Sequence, residues 1–127
     1  NIEALTMIEM AKKDIMPAVS LFIKSLTDTV SSRRAIIKDI PCEYEEKTAR
    51  RASLLLNEMS ERTARLEESV VTAAGLSGDA LKEAQFFCNT VLNDMNVLRY
   101  AADELETITR RDFWPYPDYS DILYSVK

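Results

Sequence analysis

Apolar residues recur three and four positions apart from the start of the chain, at Leu5, Ile8, Ala11, Ile15, Val19, Phe22, Leu26 and Val30. That spacing places them on one face of an α-helix, predicted over residues 2–34. Met16 and Ile23 widen the stripe, and Pro17 interrupts it. Proline lacks an amide donor and its ring collides with the carbonyl four residues back, so a kink is expected at Pro17. The alternative is a restart, with Asp14 as N-cap and Pro17 inside the first turn. Arg33 and Arg34 suit the negative C-terminal end of such a helix.

Residues 35–42 make the first connection. Ile36, Ile37 and Ile40 are too apolar for a free loop, so the segment is expected to pack across the helix ends. Pro41 stops the helix, and Glu43, Glu45 and Glu46 place negative charge in the first turn of the next one. That second helix is predicted over 43–74. Its seam is Ala52, Leu56, Met59, Thr63, Leu66, Val70 and Ala73, alternating four and three. Glu58 with Arg62 and Glu61 with Arg65 sit one turn apart on its polar side. Gly75 can end it in the left-handed conformation. Ser77 or Asp79 then caps a third helix, predicted over 79–111, with a seam at Leu81, Ala84, Cys88, Val91, Met95, Leu98, Ala102, Leu105 and Thr109. Phe87, Leu92, Ala101 and Ile108 thicken that seam.

The fold expected is all-α: a long up-down-up bundle of three helices, the first kinked at Pro17, forming a single domain over 1–127. The last residues, 112–127, cannot continue as helix. Trp114-Pro115-Tyr116-Pro117 holds two prolines, each of which pushes its predecessor towards an extended conformation. This strip carries the chain's one tryptophan and is expected to act as a strap. Trp114, Pro115, Tyr116, Pro117, Tyr119 and Leu123 would dock either on the chain's own helices or on another domain or subunit.

Composition narrows the function. The 127 residues are 46% apolar and 29% charged, which suits a folded domain. A net charge of -5 argues against a nucleic-acid surface. The longest nearly apolar run, Ile15 to Ile23, is about half of the ~20 residues that span a bilayer, so no membrane partner is expected. Cys42 and Cys88 match no metal or redox spacing, and two cysteines make no disulfide framework for this length. A reducing, cytoplasmic location follows as the expectation. Cys88 is placed in the core, and Cys42 in a turn where it could be exposed. There is no histidine and no Gly-rich loop, which removes the usual general base and the phosphate cradle. A carboxylate metal site from Asp103, Glu104 and Glu106 is conceivable, but consecutive acids on a helix point apart. No catalytic, cofactor-binding or metal residue is therefore assigned.

Met59 and Met95 lie on the predicted seams and read as core. Met7 and Met10 flank the Leu5–Ile8 line, so the start of the first helix is apolar around much of its circumference. Leu5, Met7, Ile8 and Met10 are expected to form a face against another domain. The chain begins with Asn1 and an apparent helix already running, which suggests a segment of a longer polypeptide.

Three stretches together resemble one family. Leu5-Thr6-Met7-Ile8-Glu9-Met10 with Ile15-Met16-Pro17-Ala18 is similar to the opening of the C-terminal helical domain of type III glutamine synthetases. Leu98-Arg99 through Asp103-Glu104-Leu105-Glu106 resembles the segment leading into that family's last motif. Trp114-Pro115-Tyr116-Pro117-Asp118-Tyr119 resembles its Trp-Pro-aromatic-Pro-x-Tyr ending, with Ser120 and Tyr124 where Gly and Phe are commoner. The resemblance implies a parent enzyme that joins ammonia to glutamate with ATP and divalent magnesium, built from rings of identical subunits. It also implies that the nucleotide, metal and glutamate sites lie in an upstream catalytic region, the expected partner of this segment. The competing expectations are a free-standing helical adaptor and a carboxylate-metal bundle enzyme.

Overall fold

The computed structural model describes residues 2–117, and over these the chain is helical, with three long helices. The first, residues 2–36, is α-helical over Ile2–Met10, widens to a π turn over Ala11–Ile15, and is α-helical again over Met16–Ile36. The second is Glu43–Ala74. The third is α-helical over Ala80–Phe86, π over Phe87–Val91, and α-helical over Leu92–Ile108. Among the described residues no helix is long and apolar enough to cross a membrane.

Ion pairs and a buried polar pair set the order of the helices. Lys12 reaches Glu67 at 2.9 Å and Arg33 reaches Glu45 at 2.9 Å, so numbers rise along the first helix as they fall along the second. Arg51–Glu104 at 3.0 Å and Ser69–Asp94 relate the second and third helices in the same way. The middle helix therefore packs against both others. Its predicted seam is the core of the molecule: Ala52, Met59, Thr63, Leu66, Val70 and Ala73 are buried, and Leu56 is half-buried. The Thr63 hydroxyl, buried in that seam, donates to the Met59 carbonyl at 2.8 Å, which removes the cost of placing it there.

Pro17 makes itself felt one turn early. The Met16 amide bonds the carbonyl of Ala11, five residues back, so the turn that holds the Lys13 carbonyl is widened where the proline ring would strike it. Asp14 caps nothing, and the helix does not restart. From Ile8 to Leu26 the predicted stripe is buried, but the first core residue is Ala4, and Leu5 is 54% exposed.

The third helix corrects the prediction more deeply. The Leu92 amide bonds the Phe87 carbonyl, again five residues back, which inserts one residue into the turn. One extra residue rotates everything upstream by about 100° relative to the seam downstream. Val91, Met95, Leu98, Leu105 and Thr109 are buried as predicted, whereas Cys88, Ala84 and Leu81 are exposed. Phe87 packs on the core as predicted and Phe86 joins it, two adjacent residues that a regular helix would point well apart, while Leu92, expected to thicken the seam, is exposed.

Three smaller expectations are also revised. Ile36 and Ile37 are exposed, while Ile40 is half-buried and Arg33 pairs with Glu45 and Arg34 with Glu46 at 3.0 Å beside the connection. Cys42, expected near the surface, is 1% exposed. Gly75 ends the second helix with right-handed dihedrals, φ -68 and ψ -15, while Asp79 caps the third by accepting from the Lys82 amide at 3.2 Å.

Candidate functional site: the aromatic strap and the cleft beside it

After Ile108 the backbone becomes extended at Thr109 and makes a turn in which the Phe113 amide bonds the Arg110 carbonyl at 2.9 Å. The strip that follows alternates. Trp114 and Tyr116 are half-buried against the core, and Pro115 and Pro117 face solvent. The two prolines exclude a helix here, but the extended course expected of them is not adopted: residues 111–116 run as turns and bends.

The strip lies along the first helix. Phe113 packs on Phe22 with ring centroids 5.8 Å apart and planes tilted by 54°. Tyr116 donates its hydroxyl to Asp14 Oδ2 at 2.6 Å. With Phe113 on Phe22 and Tyr116 on Asp14, the strip runs against the direction of the first helix. Burial, reinforced by the hydrogen bond to Asp14 and its negative charge, pushes the Tyr116 hydroxyl up to about 12.

Trp114 and Tyr116 form one end of a half-open cleft of about 700 Å³. One wall is the start of the first helix, through Ile2, Glu3, Thr6, Met7 and Met10. The other wall is the third helix, through Arg99, Ala102, Asp103 and Glu106. Met59 of the middle helix and Met95 lie in the floor. The four residues read from sequence as a docking face are thereby separated. Ile8 belongs to the chain's own core, Met7 is half-buried, and Leu5 and Met10 are exposed. Tyr119 and Leu123 lie outside the described residues.

The carboxylates weighed for a metal diverge. Glu104 turns to Arg51, while Asp103 and Glu106 line the cleft. Asp14 and Phe22, which anchor the strip, were not singled out for that role in the sequence. No local pattern marks them, since their partners lie more than ninety residues away.

Fold and site together define an all-helical chain closed by an aromatic-proline strip and carrying an apolar, carboxylate-edged cleft. Over all 127 residues the chain is 30% identical to part of the glutamine synthetase of Butyrivibrio fibrisolvens, and it spans 18% of that protein's length. The chain thus matches a segment of a glutamine synthetase. No family model matches it, and no solved structure matches it.

Proposed function

We propose that this chain is the non-catalytic C-terminal helical domain of a type III glutamine synthetase, a single up-down-up bundle kinked at Pro17. Its role is structural: it supports assembly of the homo-oligomeric parent and positions the catalytic region of the same polypeptide. The observation that carries this reading is similarity along the whole chain to a segment that makes up 18% of a glutamine synthetase. The absence of histidine from the sequence supports a structural rather than an acid-base role. The parent reaction is the ATP-dependent ligation of ammonia to glutamate, with magnesium, in the cytoplasm. Those groups belong to the catalytic region, and no residue here is assigned to them.

Within this reading, Trp114, Pro115, Tyr116 and Pro117 are the strap, continued by Tyr119 and Leu123. Leu5 and Met10, with Met7 at their edge, supply the face towards the catalytic region. The upstream coding sequence of the parent tests the assignment directly: a reading frame without a glutamine synthetase catalytic region overturns it. Removing residues 1–127 from the parent tests the role. The expected result is a smaller oligomer by mass photometry together with reduced ligase activity. A truncated parent of unchanged mass and activity would show that the segment has neither task.

A further inference from the structure

The cleft concentrates residue types that the rest of the chain uses sparingly. Four of the five methionines (Met7, Met10, Met59 and Met95) and the single tryptophan line it. Met59 and Met95 are buried beneath it, while Met7 and Met10 reach the surface, and methionine, unbranched and polarisable, adapts to the side chains pressed against it. The charge is equally uneven. Glu3, Asp103 and Glu106 stand against Arg99 alone, three to one, where the whole chain has 21 acids to 16 bases. Two helices form the walls, and the trough between them is open along one side.

We propose that this cleft is a docking groove for a partner that presents a basic amphipathic helix. Apolar side chains at i, i+3/i+4 and i+7 of the incoming helix would pack on Met7, Met10, Ala102 and Trp114. Lysines or arginines flanking that stripe would meet Glu3 on one wall and Asp103 and Glu106 on the other. An acidic helix is disfavoured by the same three carboxylates. This deepens the docking role proposed above by specifying the chemistry of the surface that is met. Its test works with a free peptide, so its failure leaves the parent-truncation experiment standing.

The probe is a Leu/Lys amphipathic helical peptide, with a Leu/Glu peptide of the same apolar face as comparison. Trp114, the chain's only tryptophan and part of the cleft, reports binding to the full chain through its emission. The Lys peptide is expected to shift that emission saturably, and raised salt should weaken its binding. The Glu peptide should bind at least about tenfold more weakly, the sum of a few exposed ion pairs. Asp103→Lys with Glu106→Lys should weaken the Lys peptide by a similar factor, whereas Glu61→Lys with Glu68→Lys, exposed on the middle helix, should leave it unchanged. Equal binding of the two peptides, or equal damage from the two pairs of reversals, overturns the proposal. So does binding that appears only after residues 118–127 are removed, which would make the cleft the seat of the chain's own end. A chain that is already a dimer, separated by Asp103→Lys with Glu106→Lys, would assign the groove to a second copy and overturn it as well.

Discussion

The hydroxyl of Tyr116 is bound to the carboxylate of Asp14 at 2.6 Å, joining the strap to the π turn before Pro17 across 102 positions of sequence. A hydrogen bond to a charged acceptor contributes about 1.5–3 kcal/mol when sheltered and less where Asp14 is open to water. Tyr116→Phe, which keeps the ring, is expected to cost about 1 kcal/mol in chemical denaturation. Asp14→Asn in the Tyr116→Phe background should then add little, because the pair acts as one unit. Fully additive losses would mean that the bond does not form.

The same pair sets an alkaline limit. Tyr116 in the folded chain is pushed up to about 12 from an ordinary 10.0, first by burial and then by Asp14. The folded state thus favours the neutral phenol more than the unfolded state does. This contribution is complete below about pH 10 and is lost as pH rises towards about 12. Unfolding free energy should therefore fall across that interval more steeply in the wild-type chain than in Tyr116→Phe. Parallel pH profiles for the two proteins would contradict the pairing.

Ser69 and Asp94 meet inside the interface of the second and third helices, both buried, with the serine hydroxyl donating to the carboxylate. Ser69→Ala leaves that carboxylate buried without its side-chain partner, and a loss of about 1–3 kcal/mol is expected. Replacing both residues with alanine should cost less than the two single losses summed. The comparison is a double-mutant cycle measured by urea unfolding.

Trp114 is half-buried, so truncation removes only part of the burial that a core tryptophan would lose. Trp114→Ala is expected to destabilise the chain by about 2 kcal/mol, below the ~3–5 kcal/mol of a fully enclosed aromatic. Phe113→Leu should weaken the same strap through its contact with Phe22, by about 0.5–1 kcal/mol. A melting temperature untouched by Trp114→Ala would place the strap's energy in contacts with another domain.

The two cysteines offer a direct reading of helix phase. Cys88 is exposed, although the seam pattern places it in the core, and Cys42 is buried, although it lies in a turn. An aromatic disulfide reagent should titrate one thiol quickly in the folded chain and the second only in denaturant. Cys88→Ser should abolish the fast reaction and leave the slow one. A Cys88 thiol that reacts only in denaturant would mean that the turn at Phe87–Val91 is an ordinary α-helical one.

Much of this molecule was legible from its pattern of apolar residues. The middle helix, Glu43–Ala74, has the bounds and the seam that its four-and-three spacing predicts, because periodicity and burial there obey one unbroken helical repeat. The stripe from Ile8 to Leu26 was legible as well, although a π turn over Ala11–Ile15 lies within it. Tertiary structure decided what periodicity cannot encode. The π turn over Phe87–Val91 adds one residue without any residue type announcing it, so it turned Cys88, Ala84 and Leu81 outwards and brought Phe86 onto the core beside Phe87. The strap's landing place was equally unreadable, since Tyr116 finds Asp14, and Phe113 finds Phe22, only once the helices lie side by side. Local sequence determined where helix forms and where it stops, for those choices rest on neighbours a few residues apart. Which faces meet, and which carboxylates edge the cleft, depended on contacts between distant segments that only the assembled helices create.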